Sequence, residues 1–420
     1  MNEKTINGGI CAAKGFKASG MQVGIGFRPV EPSAEAPKPK KIKNDLGLIF
    51  SEKMCTAAAV YTQNKVKGAP ILVTRKNISD GLAQAVIVNS KNANTCNADG
   101  EQVAEKMCAL AAGALGLSPS DIIVASTGVI GQPLNVAPIE ANIGELASLL
   151  EYGEKGSDAC ATAIMTTDTA KKEYAVEFTV DGTVCRMGGI AKGSGMIHPN
   201  MATMLCFMTT DAAISADMIK SALSEVTRVT FNRVSVDGDT STNDMACLMA
   251  NGMAGNKEIT ARGEGFDSFC AALFTLMRYL SREIARDGEG ATKLLECTVT
   301  EAATEDIAET VAKSVITSSL FKSAMFGADA NWGRVLCAVG YAEAEFDINK
   351  VGVTLGSSKG TIEVCKNGSG VEFSEETAKE ILLENEIFIG ITLGSGSAEA
   401  TAWGCDLTYD YVRINGDYRS

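Results

Sequence analysis

The chain has 420 residues, 45% hydrophobic and 21% charged, with 51 acidic against 38 basic side chains and a net charge of −13. The apolar fraction excludes a disordered chain, and the acidic balance excludes nucleic-acid binding through bulk charge. The lone histidine, His198, excludes histidine-rich zinc and di-iron sites, so any catalytic histidine has to be that one.

The N-terminal residues MNEKTINGGICAAKGFKASG contain no apolar run of the kind a signal peptide needs. Pro29–Asn44, PVEPSAEAPKPKKIKN, is proline- and lysine-rich and reads as a solvated loop or insertion. Leu46–Phe50, Ala85–Asn89 and Asp121–Ser126 are short apolar runs that predict buried strands. Between them, Asp99–Leu115 has helical periodicity and opens on an aspartate suited to capping; Ala137–Leu150 predicts a second helix. Glu173–Val180 and Thr183–Ile190 alternate around Asp181-Gly182, a hairpin turn signal. Thr203–Asp211 follows as a strand, and Ser215–Thr230 and Gly263–Arg286 as helices. Leu295–Glu301, Val351–Leu355, Thr361–Cys365 and Ile387–Leu393 predict further strands, with helices near Thr304–Ser318 and Ser374–Glu384. No repeat of fixed period is present. The mixture predicts an α/β or α+β protein with helices layered on sheets. Its length, beyond the ~250–300 residues at which single cores usually divide, predicts two lobes.

The 13 cysteines are scattered, with no C-x-x-C pair, and read as reduced thiols of a cytosolic protein, most of them core filler. Two stretches, Ile122–Ile139 and Gly193–Thr210, run 18 residues without Asp, Glu, Lys or Arg. That approaches membrane-spanning length. Both carry proline, glycine and hydroxyl or amide side chains, so neither suits a lipid-facing helix, and both need another explanation.

Residues 192–205 read KGSGMIHPNMATML. Gly193, Gly195 and Pro199 break regular structure just before a strand that begins near Thr203, and glycine permits close backbone approach. A hydroxyl residue opening a strand after a constrained turn fits a chain that cleaves itself before that residue. A threonine hydroxyl needs a base. The freed α-amine, with a reference pKa of about 7.7–8.0, can serve on its own residue, so no histidine is required.

The segment closely resembles the motif of the ornithine acetyltransferases, the bifunctional glutamate N-acetyltransferase/amino-acid acetyltransferase family of arginine biosynthesis. Further matches follow in the same order over nearly the whole chain: Ser126–Gly131, Met165–Thr169, Gly288–Lys293, Ala328–Arg334 and Asn415–Ser420. The resemblance implies a self-cleaving N-terminal-threonine enzyme with a layered α/β/β/α-type sandwich in two lobes. Cleavage is expected between Ala202 and Thr203, giving an α chain of residues 1–202 and a β chain of 203–420. Thr203 is the expected nucleophile, forming an acetyl-enzyme from N2-acetylornithine that glutamate then takes up. Thr127 and Gly128 match the oxyanion hole. Thr166, Thr167, Lys192, Glu289, Asn415 and Ser420 match substrate-binding positions, with one of the two threonines expected to touch substrate and Asp168 beside them expected to be structural. Glu289, between two glycines that leave room for a ligand, suits the side-chain ammonium of ornithine. The resemblance further implies no cofactor and no metal, acetyl-CoA as a second donor in some members, two copies of each chain or more, and a cytoplasmic location without nucleic-acid or membrane partners.

The chain departs from the family at His198, where something smaller or acidic is expected, at Gly24–Arg28, and at Gly416 and Asp417. Leu393–Gly404 is glycine-rich but lacks phosphate-loop spacing. Asp237-Gly238-Asp239 with Asp244 lacks calcium-loop spacing and reads as a polar turn rather than a cation site. The competing function is an aminopeptidase or amidase of similar fold, in which water rather than an amine resolves the acyl-enzyme.

Overall fold

The computed structural model describes residues 3–25, 43–198 and 204–417. These form two compact units. One holds residues 3–25, 43–193, 204–226 and 240–280; the other holds 194–198, 227–239 and 281–417. The Pro/Lys-rich stretch up to residue 42, the Ala202–Thr203 bond and Ser420 lie outside the described residues.

The first unit is built on a nine-stranded mixed sheet. Its strands run in the order Lys4–Thr5, Lys172–Val180, Thr183–Lys192, Leu205–Thr210, Met245–Ala250, Leu46–Tyr61, Leu82–Asn89 and Ile122–Ser126, and Phe16–Met21 pairs with Leu46–Tyr61. The predicted hairpin is present, with Val180 opposite Thr183. Asp181 and Gly182 take φ of 47° and 80°, the two positive values that a two-residue turn matching strand twist requires. Leu205–Thr210 is flanked antiparallel by Thr183–Lys192 and parallel by Met245–Ala250, so Leu205 faces Lys192 on one side and Met245 on the other.

Helix Gly100–Leu115 buries Ala104, Met107, Cys108, Ala111 and Ala112, the i, i+3, i+4, i+7 stripe that its sequence predicts. They pack with Ile87, Ile122 and Val124 of the sheet. Asp99 makes no side-chain cap, and Gly116 ends the helix at φ 70°. A second cluster, including Phe16, Ile49, Val88, Ile190 and Phe207, joins strands from across the sheet.

The second unit is a seven-stranded sheet in the order Ser369–Gly370, Gly360–Lys366, Gly352–Ser357, Glu386–Thr392, Leu294–Ala302, Ala398–Cys405 and Val234–Ser235. Helix Glu305–Thr317, capped by Thr304 accepting from Ile307 N, lays Ala308, Val311, Ala312, Val315 and Ile316 into the core with Leu295, Val299 and Ala402. The mixed α/β class expected from the sequence is the one observed. All 13 cysteines are free; Cys96 and Cys337 are exposed, Cys270 is half-buried and the rest are buried. No described helix is long and apolar enough to cross a membrane.

Candidate active site

Thr127 and Gly128 leave the strand Ile122–Ser126 into a loop that another loop pins in place. Asn92 forms bridges to both Thr127 and Val129. Thr127 N donates to Asn89 O (3.0 Å) and Val129 N to Lys91 O (3.1 Å). Between them, the Gly128 N–H has no partner among the described residues. Gly128 sits at φ 134°, and a Cβ there would run into the backbone of Lys91 and Asn92, so only glycine fits. The pinning loop is itself strained: Lys91, Asn94 and Cys96 all have positive φ, a concentration typical of functional sites. Two buried amides brace it. Asn89 Oδ1 accepts from Ser126 Oγ (2.6 Å), and Asn243 Nδ2 donates to Ala93 O (2.7 Å) and Ser126 O (3.0 Å).

Lys192 ends the strand Thr183–Lys192, is 4% exposed, and donates from Nζ to Thr127 Oγ1 at 3.3 Å. A hydroxyl has one donor and two acceptor sites. Because the ammonium occupies an acceptor site, the Thr127 hydroxyl proton is left to donate elsewhere. An unpartnered N–H next to a hydroxyl so arranged is the geometry that stabilises a developing negative oxygen.

Asp168 organises the same region. Oδ1 accepts from Lys172 Nζ (2.7 Å) and Gly193 N (2.8 Å), and Oδ2 accepts from Thr166 N (3.0 Å). Burial alone would push its carboxyl up. The Lys172 and Lys192 ammonium groups and these hydrogen bonds outweigh burial and hold it far below the usual range. The expected structural role therefore has content: one carboxylate fixes the backbone of Thr166 and of the residue following Lys192. Thr166 and Thr167 are both half-buried.

In the second unit, Glu289 is buried, its N–H donates to Ser194 O (2.8 Å), and its Oε2 accepts from Asn415 Nδ2 (2.8 Å). Two expected binding residues thus meet. The glycines that flank Glu289 are closely packed: a Cβ on Gly290 would lie 2.6 Å from Tyr411 N, and one on Gly288 would lie 2.7 Å from Cys405 Sγ. A Cβ on Gly195 would strike the Glu289 carboxylate. Gly290 thus admits the helix Tyr409–Gly416 beside Glu289.

Asp237, read as part of a polar turn, is one with a definite task. Its carboxylate accepts from Met196 N (2.6 Å), Ile197 N (2.8 Å), Asp239 N (3.3 Å) and the Tyr411 hydroxyl (3.4 Å). It ties the segment leading toward Thr203 to the C-terminal helix that carries Asn415. His198 Nδ1 lies 3.3 Å from Ser235 Oγ, and burial, helped by Lys313, pushes its pKa down. No motif marks Asn89 or Asn243, and Asp244 stands out in the sequence only beside the polar turn Asp237-Gly238-Asp239. The polar run Ser241-Thr242-Asn243-Asp244, directly before an apolar strand, was the available signal.

With the geometry in view, one comparison settles the family: a model described as the ArgJ family matches residues 33–420. The chain belongs to the ArgJ family. It is 48% identical over 416 residues to the arginine biosynthesis bifunctional protein ArgJ of Caldanaerobacter subterraneus subsp. tengcongensis, covering 99% of both chains. It is 47% identical over 416 residues to the protein of the same name from Symbiobacterium thermophilum, covering 99% of both. Among solved structures, the arginine biosynthesis bifunctional protein ArgJ from Bacillus halodurans is 46% identical, with 50% of this chain and 96% of that one covered and a TM-score of 0.47. The Mycobacterium tuberculosis ornithine acetyltransferase complexed with ornithine is 30% identical, with 47% and 98% covered and a TM-score of 0.40.

Proposed function

We propose that the protein transfers the acetyl group of N2-acetyl-L-ornithine to L-glutamate through an ester on Thr203, and that Thr203 is freed by cleavage of its own bond to Ala202. The observation that carries this is the Gly128 N–H left without a partner among the described residues, beside the Thr127 hydroxyl, with Lys192 donating into that hydroxyl. The strand register adds to it. Lys192 faces Leu205, two residues beyond Thr203 in the chain. Membership of the ArgJ family, whose relatives are named bifunctional arginine biosynthesis proteins, favours acetyl transfer over the hydrolase alternative.

In self-cleavage the Thr203 hydroxyl oxygen attacks the Ala202 carbonyl carbon. The Ala202–Thr203 C–N bond breaks as the nitrogen takes a proton, and water hydrolyses the resulting ester. The α-amine so released is the base for the second reaction. The hydroxyl oxygen then attacks the acetyl carbonyl carbon while Thr127 Oγ1–H and Gly128 N–H hold the developing oxyanion. The acetyl–nitrogen bond breaks and the ornithine α-amine leaves with the proton. The α-amine of glutamate attacks the ester, and Thr203 regains its hydroxyl hydrogen. In this scheme Lys192 pairs with a substrate carboxylate, and Glu289, held by Asn415, takes the side-chain ammonium of ornithine. Thr166 or Thr167 and Ser420 complete the binding set. No cofactor takes part. Acetyl-CoA serves as a second donor, and the working particle is a cytoplasmic assembly of at least two chains 1–202 and two chains 203–420.

The test is an intact-mass measurement followed by an assay with acetylornithine and glutamate, run with and without acetyl-CoA. Two fragments divided before Thr203, and N-acetylglutamate formed without acetyl-CoA, are expected. An uncut chain, or release of free acetate alone, overturns the reading; the latter result favours the hydrolase.

A further inference from the structure

Asn243 is 8% exposed and stands in the polar run that leads into the strand Met245–Ala250. Its amide uses every hydrogen-bonding position it has. Nδ2 donates to Ala93 O (2.7 Å) and Ser126 O (3.0 Å), and Oδ1 accepts from Thr95 Oγ1 and Thr242 Oγ1, both at 2.6 Å. An amide has two N–H donors and two lone pairs on its oxygen, so none is left over. The two carbonyls can only accept, which fixes the end of the amide that faces them. The Thr95 hydroxyl has one proton, and its contact to Asn243 is shorter than its 3.1 Å contact to Ala93 O. Gly68 provides the room: a Cβ there would lie 2.6 Å from both Nδ2 and Oδ1.

The backbone that this amide holds lies on both sides of the Gly128 N–H. Before it, Ser126 O is bonded to Asn243 and Thr127 N to Asn89 O (3.0 Å). That peptide is planar, and with both polar ends held it cannot turn. After it, Ala93 N donates to Val129 O (3.0 Å) and Gly131 N to Thr95 O (3.0 Å). Ala93 and Thr95 are the residues whose carbonyl and hydroxyl meet Asn243. One side chain thus grips the strand end directly and the far side of the turn through the 93–95 loop. Gly128, at φ 134°, has no Cβ to restrain its own rotation. The direction of its N–H is therefore set by the groups held before and after it.

We propose that Asn243 is a positioning residue for acetyl transfer: it locks the 93–95 loop to the 126–131 turn so that the Gly128 N–H and the Thr127 hydroxyl converge on the oxygen that becomes negative. This rests on Thr127 and Gly128 being the oxyanion donors. Donors fixed in advance need no reorganisation as charge develops, which is where such groups gain their effect. Because all four hydrogen-bonding positions of the amide are taken, Asn243 acts through the turn and not on substrate. Its loss should therefore appear in the transition state and leave ground-state binding alone. An aspartate in its place sets a carboxylate oxygen against the Ala93 and Ser126 carbonyls, acceptor against acceptor.

The experiment compares full-length wild type, Asn243→Asp, Thr95→Val and Thr127→Val by steady-state acetyl transfer, with rates expressed per folded, cleaved chain. Asn243→Asp is expected to lower kcat about 10²-fold, as loss of one oxyanion donor does. Thr95→Val keeps its shape and removes only one hydroxyl from the Asn243 oxygen, so kcat should fall about two- to ten-fold. KM for acetylornithine and for glutamate should stay within about two-fold in both variants, a split that mere loosening of the fold would not give. Wild-type kcat in either variant, or a KM that rises in step with the fall in kcat, overturns the proposal. If Asn243→Asp yields no folded chain, Thr95→Val decides alone by the same criteria. Full kcat in Thr127→Val fails the oxyanion assignment itself. A low kcat in Thr127→Val beside wild-type kcat in the other two fails only the positioning role of Asn243.

Discussion

Lys192 and Thr127 stand 65 positions apart in the chain, yet the lysine Nζ donates to the threonine Oγ1 at 3.3 Å, with both residues buried. A buried cation costs free energy unless it is paired. Here it aligns a neutral hydroxyl and lies close enough to Asp168 for the two charges to interact. The pair thus links the proposed oxyanion donors to the strand that leads toward Thr203.

Thr127→Val keeps the side-chain shape and removes the donor. Its kcat for acetyl transfer should fall about 10²- to 10³-fold with little change in KM, as expected for a contact made mainly in the transition state. Gly128→Ala should cost more, because its Cβ meets the Lys91 and Asn92 backbone at a φ that alanine disfavours. Steady-state kinetics on the cleaved fraction measures both effects.

Asp168→Asn removes the buried carboxylate charge that Lys172 Nζ, Gly193 N and Thr166 N bond to, and breaking such a pair typically costs about 3–5 kcal/mol. The sign of the pH effect follows from the direction of the shift. The folded carboxyl is held below its unfolded value of about 3.9. Its stabilising contribution is therefore complete above that pH and is lost as pH falls below it. Denaturant melts from pH 7 down to pH 3 should show wild type losing stability in acid, with the gap to Asp168→Asn closing over the same interval.

Glu289→Gln keeps an oxygen for Asn415 Nδ2 and removes the charge. If the carboxylate reads the ornithine ammonium, KM for acetylornithine should rise about ten- to a hundred-fold while KM for glutamate changes less. Asn415→Ala, which frees the Glu289 carboxylate to turn, should raise the same KM more modestly. Equal effects on both substrates would assign the pair to structure instead.

His198→Gln should keep fragment formation and kcat within about two-fold of wild type, with the pH profile unmoved. The imidazole faces Ser235, and burial keeps it neutral near pH 7. A shifted acid limb in this variant would make His198, rather than the α-amine, the titrating base.

Most regular elements were legible because their apolar spacing is local. The hairpin at Asp181-Gly182, helix Gly100–Leu115 and strand Leu294–Ala302 each declare themselves within a short window. Met245–Ala250 and Ala398–Cys405 were not read as strands. Met245–Ala250 is wholly buried, and a continuous apolar run fits buried helix and strand alike. Among the candidate site residues, Thr127, Gly128, Lys192, Glu289 and Asn415 were flagged through motif resemblance. Asn89, Asn243 and Asp244 were not, because an amide or carboxylate that braces a neighbour carries no periodic signature.

By itself the sequence determined the mixed α/β class and the family, and it pointed to a chemistry that can dispense with histidine. These depend on composition, short-range spacing and the order of motifs. Only the tertiary structure decided which flagged residues touch. It joined Lys192 to Thr127 and Asn415 to Glu289, left the Gly128 N–H without a partner among the described residues, and set Asp244 against the backbone N–H of Met204. The physical reason is range. Hydrogen-bond partners that are 40 to 126 residues apart meet only when strand register and buried polar groups are satisfied together.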